Sequence, residues 1–365
     1  MSTIQKTPTP PSGPAAPKNR IGLTAADYKG SKSTLCPGCG HDAITGSIIQ
    51  AAYELGLEPH RVAKLSGIGC SSKTPAYFMS RSHAFNAVHG RMPSIATGVF
   101  LANHDLTLLG VSGDGDTASI GLGQFCHMVR RNVPVAYIIE NNGVYGLTKG
   151  QFSATADVGT KAKSGAVNEL MPIDLCAVAV QLGCGFVARS FSGDPKQLRP
   201  ILKAALSHRG TAVVDVISPC VTFNAHEGST RSYAAVKEHD APLHDVTYVP
   251  YFENIEIDYA PGETREVKLH DGSRVLLKKL GEDYDPRDAF QALATLHRSR
   301  EEGKFVTGIL YVNSSEAALD KELALVDQPL ASLTLEQVRP PKAVLDEVMA
   351  GLRTGGSGME VRGGG

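Results

Sequence analysis

The order of elements in this sequence predicts an α/β fold: a mostly parallel sheet with helices on both faces, followed by a C-terminal α+β extension. Three observations carry that expectation. Between about residue 40 and residue 220, strand-like apolar runs alternate with helical patterns, and such alternation builds parallel sheets wrapped on both faces. The runs VPVAYIIE and TAVVDVIS are apolar and β-branched without a polar alternate, as strands covered on both sides require. After about residue 225 the pattern changes to half-polar alternating runs and separated helices.

The elements follow in order. Residues 1–20 are rich in Pro, Ser and Thr and hold no apolar run long enough for a signal peptide, so they read as a disordered arm. Asp42 to Leu55 places Ile44, Ile48 and Leu55 at helical spacing, and the apolar run VAKLSGIG follows. A Gly-Arg-Met-Pro start leads into the helical SIATGVFLANH, then the strand LTLLGVSG, a helix through GLGQFCHMVRR, and VPVAYIIE. PIDLCAVAVQLG reads as a helix and GFVARS as a strand. Ser192 or Asp194 ahead of Pro195 marks the next helix start, where proline's missing N–H costs nothing, and TAVVDVIS closes the series. This main domain spans 21–225. The extension, 226–353, carries a hairpin signal in TREVKLHDGSRVLLKKL, a helix near 286–302, the strand FVTGILYV, and a helix with Val344, Leu345, Val348 and Leu352 on one stripe. It is expected to pack on the core or on a partner, and residues 354–365 to be disordered.

At 365 residues, 42% hydrophobic and with 36 basic against 37 acidic side chains, the chain can bury a large core and has no bulk charge pointing to nucleic acid. Its apolar runs fall short of the roughly 18 residues of a membrane helix. Seven cysteines, with nothing pointing to secretion, argue against a disulfide framework and for metal or redox use in the cytoplasm.

The segment LTLLGVSGDGDTASIGLGQFCHMVRRNVPVAYIIENNGVYGL reads strand, Gly113-Asp114-Gly115, helix, strand, Asn141-Asn142, with 25 residues between the two motifs. Glycines at 113 and 115 let backbone approach a phosphate, and the following helix offers its N-terminal amides. Asp114 and an Asn at the end of the adjacent strand can share one Mg²⁺, which takes oxygen ligands and keeps phosphate oxygens in its octahedron. Either motif alone reads as a turn; together they imply a diphosphate cofactor. Here the sequence resembles the thiamine-diphosphate enzymes, whose cofactor motif begins with Gly-Asp-Gly and ends in Asn. The resemblance implies Asp114, Asn142 and the Val144 carbonyl as Mg²⁺ ligands. It also implies Gly113, Gly115, Asp116, Gly146 and Leu147 along the cofactor.

The cysteines divide into two groups. Cys36 and Cys39 form C-x2-C, Cys70 ends the turn of LSGIGCSSK, and Cys220 follows the last parallel strand; on this pattern Cys70, Asp114, Asn142 and Cys220 lie beyond the carboxyl ends of strands, where open α/β sheets bind ligands. Cys126, Cys176 and Cys184 fall in helical runs or at their ends and read as inert buried thiols. One close pair and two dispersed cysteines suit a 4Fe-4S cluster better than tetrahedral zinc. Beside a thiamine cofactor that releases CO₂ from a 2-oxo acid, a cluster can also accept the electrons left behind.

That combination resembles the β subunit of the 2-oxoacid:ferredoxin oxidoreductases, through nearly all of residues 21–312. The resemblance implies cluster ligation by Cys36, Cys39, Cys70 and Cys220, thiamine contacts from Ile68, Gly69, Cys70 and Ser71, His89 at the cofactor, and Lys73 on the substrate carboxylate. The HGR motif, NAHEGSTRSY, HDGS and EDYDP are similar to the two-subunit branch that prefers 2-oxoglutarate, with the pyruvate or branched-chain enzyme as the alternative. No glutamate here can be nominated for activating the cofactor, which implies an α subunit as partner, in an αβ heterodimer or a dimer of heterodimers. Coenzyme A and ferredoxin complete the implied reaction. A non-redox thiamine decarboxylase with structural zinc, or a cofactor-free scaffold, are the other readings.

Overall fold

The computed structural model describes residues 16–227, 229–252, 264–269, 273–279, 283–315 and 317–353. Helix α1 (Gly40–Leu55) stops at Gly56, whose φ of 61° supplies the left-handed turn that ends many helices. Then come β1 (Val62–Ser66), a 3₁₀ segment Cys70–Tyr77, β2 (His83–Asn86), α2 (Met92–Ala102), β3 (Thr107–Gly113), a π-helical turn Gly115–Ile120, α3 (Leu122–Arg130) and β4 (Val135–Asn141). A small hairpin, β5 (Val144–Tyr145) and β6 (Gln151–Phe152), precedes α4 (Leu175–Gln181), β7 (Phe186–Phe191), α5 (Pro195–Ser207) and β8 (Thr211–Ile217). Asp174 caps α4 by accepting from the Cys176 and Ala177 amides, and Asp194 caps α5 with Pro195 in the first turn.

The extension runs through α6 (Tyr233–His239), β9 (Asp240–Pro242), β10 (His244–Val249), β11 (Thr264–Lys268), β12 (Arg274–Lys279), α7 (Ala289–Glu301), β13 (Phe305–Val312), α8 (Leu319–Glu322), α9 (Leu335–Val338) and α10 (Lys342–Arg353).

The central sheet has the order β2-β1-β3-β4-β8-β7-β13-β9. Every pairing from β2 to β7 is parallel; β13 runs antiparallel to β7. Alternate residues of β4 feed two cores. Ala136 and Ile138 meet Ile44 and Ile48 of α1 and Leu198 and Ile201 of α5 on one face, while Tyr137 and Ile139 meet Met92, Phe125, Leu175 and Leu296 on the other. The two-sided burial explains why β4 reads as an unbroken apolar run.

The segment after residue 226 does more than pack on this core, because β13 and β9 are strands of the sheet itself. Its buried residues complete the core on both faces of the sheet: Tyr248 and Val275 join the α1/α5 side, and Leu296 and Leu310 the other. β11 and β12 form the expected antiparallel hairpin, whose tip at 270–272 lies outside the described residues, as do Gly228, Glu282, the first 15 residues and 354–365. The disordered arm expected over 1–20 does not extend to Asn19 and Arg20. The Asn19 amide donates to the Tyr53 carbonyl at 2.8 Å, and Arg20 donates to the Leu55 carbonyl at 2.8 Å, satisfying backbone acceptors that the end of α1 leaves open.

Candidate active site

The strands β1, β3, β4 and β8 are consecutive neighbours in the sheet, and each ends in a residue of interest. Cys70 follows β1, Asp114 follows β3, Asn142 follows β4, and Cys220 lies just past β8. Parallel neighbours present their carboxyl ends on one side, so residues up to 150 positions apart in sequence reach one edge.

Asp114 is almost fully buried. Its Oδ2 accepts from the hydroxyls of Ser153 and Thr155, the latter at 2.7 Å, while Oδ1 accepts only the Asn142 amide, at 3.2 Å. Burial pushes its pKa up; the two hydroxyls and the nearby Arg231 charge work against that. Oδ1 therefore keeps the lone-pair capacity for a cation. Asn142 makes an Asx turn, its Oδ1 accepting the Val144 amide at 3.0 Å, which leaves that oxygen a second lone pair and fixes the start of the 144–147 loop. Tyr145 ties this loop to the Gly-Asp-Gly turn by donating to the Gly115 carbonyl at 3.1 Å. An oxygen donor set held this way fits a hard divalent cation and a diphosphate.

The four cysteines approach from three sides. A Cβ built on Gly146 would lie 3.4 Å from Cys70 Sγ and 3.7 Å from Cys220 Sγ, so the cofactor loop runs directly against two of the sulfurs. Thr222 donates to Cys36 Sγ at 3.4 Å, and Tyr233 donates to the Gly38 carbonyl at 3.1 Å, seating the C-x2-C turn on the loop that carries Cys220. Burial pushes the Cys39 thiol up to about 12; burial and then Cys220 raise Cys70. Thiols so disposed lose their protons to a cationic centre placed among them and not to water. Among the described residues no three His, Cys, Asp or Glu side chains stand ready for a single ion. Cys176 and Cys184 are buried, their thiols donating to backbone carbonyls, as expected for inert thiols; Cys126 is half-buried.

The remaining candidates line the rim. Gly69 adopts φ 94°, and Ser71 donates to the Ile68 carbonyl at 3.2 Å and sits against Gly113. Lys73 is half-exposed, near enough to Cys70 for its charge to be felt there. His89 and Leu147 are exposed. Asp116 accepts the Gly90 amide at Oδ1, 2.7 Å, and the Ser112 hydroxyl at Oδ2, 3.0 Å, so its side chain ties down the turn carrying His89.

Sequence reasoning passed over several residues here. Glu140 is fully buried, with Oε2 accepting from Thr74 at 2.9 Å and Oε1 unpartnered. His41 lies 3.7 Å away and shares a 2.6 Å hydrogen bond with Ser218. That spacing resembles an ion pair, but burial holds Glu140 well above the usual carboxylate range and takes His41 down to about 4, so burial works against the charged form of each. Asn224 donates to the Asn142 carbonyl at 2.7 Å. Arg231 donates to Asp157, Asn141 and the Thr155 carbonyl. A polar run such as NAHEGSTRSY gives no spacing signal, and only the fold reveals its use.

The family description "Thiamine pyrophosphate enzyme, C-terminal TPP binding domain" matches residues 67–216. The chain is 45% identical over 190 residues to the 2-oxoacid:ferredoxin oxidoreductase subunit beta of Saccharolobus solfataricus, a match covering 52% of this chain and 62% of that protein's length. It is 37% identical over 191 residues to the 2-oxoglutarate synthase subunit KorB of Methanocaldococcus jannaschii, covering 52% and 69%. A solved structure of 2-oxoglutarate:ferredoxin oxidoreductase from Magnetococcus marinus, with 2-oxoglutarate, coenzyme A and succinyl-CoA bound, aligns at TM-score 0.69 and 30% identity over 89% of this chain and 96% of that one. Among the described residues no helix is long and apolar enough to cross a membrane. With a buried Asp114–Asn142 oxygen site lying against paired thiols at one sheet edge, and with these relatives, the chain belongs to the 2-oxoacid:ferredoxin oxidoreductase β-subunit family.

Proposed function

We propose that this chain is the cofactor-bearing β subunit of a cytoplasmic 2-oxoglutarate:ferredoxin oxidoreductase, converting 2-oxo acid and coenzyme A to acyl-CoA and CO₂ while reducing ferredoxin. The observation that carries the reading is the contact of Gly146 in the cofactor loop with the Cys70 and Cys220 sulfurs, because it sets a thiamine site beside an electron acceptor.

Asp114, Asn142 and the Val144 carbonyl would hold Mg²⁺ for a diphosphate cofactor, and Cys36, Cys39, Cys70 and Cys220 would hold a 4Fe-4S cluster. When bound, the thiamine supplies the carbon nucleophile for the 2-oxo group and the cluster accepts the electrons singly. The chain's own residues supply the rest. Lys73 would be a point charge for the substrate carboxylate, and His89, on the turn tied to Asp116, would stand at the cofactor. The buried carboxyl end of β4 would keep water from that side of the site. The partner α subunit contributes the activating glutamate, and the unit is an αβ heterodimer or its dimer.

Two features support the substrate preference: the KorB relative and the Magnetococcus marinus structure both carry 2-oxoglutarate in their names. Co-expression with the α subunit under anaerobic conditions, followed by iron and sulfide analysis and by ferredoxin reduction with 2-oxoglutarate and with pyruvate, tests the proposal. A brown protein faster on 2-oxoglutarate is expected. A colourless protein with zinc and no iron overturns the redox reading, and a preference for pyruvate overturns the substrate.

A further inference from the structure

Arg231, with Asn224, reaches the back of the Asp114 site from the loop after Cys220. It is about 5% exposed and its guanidinium is used on three sides. Nε and Nη2 fork onto the Asp157 carboxylate at 2.9 and 3.2 Å, Nη1 donates to Asn141 Oδ1 at 2.8 Å, and Nη2 donates to the Thr155 carbonyl at 2.8 Å. The planar group also lies 5.2 Å from the centre of the Phe305 ring, which fixes its plane.

The consequence passes through Thr155. Its hydroxyl has one proton and three acceptors in range, Asp114 Oδ2 at 2.7 Å, Asn141 Oδ1 at 3.0 Å and Ser153 Oγ at 3.0 Å. The carboxylate oxygen is the closest and the strongest acceptor, and Arg231 already donates to Asn141 Oδ1, so the Thr155 proton goes to Asp114. Holding the Thr155 carbonyl and Asp157 fixes the backbone on either side of that hydroxyl. With Oδ2 occupied by Thr155 and Ser153, the carboxylate is clamped in one orientation, and Oδ1 is the oxygen left open.

We propose that Arg231 is a positioning residue for the cation site: by fixing Thr155 and Asn141 it orients the Asp114 carboxylate and sets the affinity for the divalent ion that anchors a diphosphate. Arg231 would act on the ion only through Asp114, and outer partners of metal ligands commonly change affinity by about 10- to 100-fold. Lysine cannot replace the group, since a point charge cannot reach Asp157, Asn141 and the Thr155 carbonyl together.

The inference rests on the reading of Asp114 as a Mg²⁺ ligand, and the experiment separates the two. Thiamine diphosphate binding to the full chain co-expressed with its partner is followed by calorimetry against Mg²⁺ concentration, with thermal unfolding of the cofactor-free protein as a second readout. Arg231→Gln is expected to raise the Mg²⁺ concentration for half-saturation about 10- to 100-fold, Arg231→Lys to fall in between, and Thr155→Val, which keeps the shape and removes only the hydroxyl, about 10-fold. Folded variants with half-saturation within twofold of wild type, whatever their unfolding temperatures, overturn the role of Arg231; if Arg231→Gln does not fold, Thr155→Val decides. A wild type whose thiamine diphosphate binding is independent of Mg²⁺ overturns the ion site and this role with it.

Discussion

Gly90 offers the sharpest test of how the His89 turn is held. Its φ is +67°, and a Cβ there would lie 2.8 Å from both Cα and N of Gly121 and 2.9 Å from Ile120 Cγ2. Gly121 answers in kind: a Cβ on it would lie 2.8 Å from the Gly90 carbonyl oxygen. Two stretches of backbone touch where the turn meets the start of α3, and no flexible side-chain end is available to yield. In Gly90→Ala the left-handed conformation costs about 1–2 kcal/mol. Relieving the clash pulls the turn away from Asp116, weakening the 2.7 Å bond from the Gly90 amide to its carboxylate, and a hydrogen bond to a charged group contributes about 1.5–3 kcal/mol. Unfolding in urea should therefore show a loss of about 3 kcal/mol. Because His89 precedes the displaced residue, kcat/KM for ferredoxin reduction should fall at least about 10-fold. A variant that unfolds at the wild-type urea midpoint and turns over at the wild-type rate would refute the backbone-contact account.

Three further outcomes follow from the same geometry. Cys36→Ala should abolish ferredoxin reduction and lower iron content while thiamine diphosphate binding survives, whereas Cys184→Ala, which removes a buried thiol donating to the Thr211 carbonyl at 3.2 Å, should keep its iron; equal iron in both would remove Cys36 from the ligand set. Lys73→Ala should raise KM for the 2-oxo acid about 10- to 100-fold with kcat little changed, the pattern for a charge that binds ground and transition states alike, and an unaltered KM would place Lys73 in solvent. Burial takes His244 from its ordinary 6.5 down to about 4, where its neutral Nε2 accepts the Ile309 amide at 3.1 Å. Since the unfolded chain binds the proton more readily, the stability this site provides is complete above pH 6.5 and declines as pH falls toward 4. At pH 5 the loss from His244 is about 2 kcal/mol, and His244→Gln should remove that share of the pH dependence and leave the share of His41, which burial also takes down to about 4; identical profiles would show that His244 does not titrate there.

What was legible in the sequence follows from how many crossovers separate the parts of the site. Gly113-Asp114-Gly115 and Asn141-Asn142 are the two ends of a single unit, β3, α3 and β4, and a crossover helix must run back the length of the strands it joins, so their spacing carries meaning on its own. Cys36 and Cys39 share one turn and are equally plain. The ends of β4 and β8 are also neighbours, but the chain goes out through α4, β7 and α5 before β8 returns beside β4, and nothing local marks that return. Thr155, Asn224 and Arg231 lie on loops beyond those strand ends, and their residue types suit any solvated turn. For the same reason the extension looked appended: β13 carries a strand pattern that shows it is buried, but not beside which strand. The Arg231 network is illegible for a further reason. Its guanidinium opposes burial, yet Asp157 outweighs that and raises its pKa further, a balance that exists only once β4, β8 and the loop after Cys220 have been brought together. Cys220 and Arg231 are eleven residues apart in sequence; one lies beside Cys70 and the other bonds Asn141 and Thr155, which in turn bonds Asp114, so the chain after β8 supplies both the thiol group and the network behind Asp114 although their sequence motifs are separate.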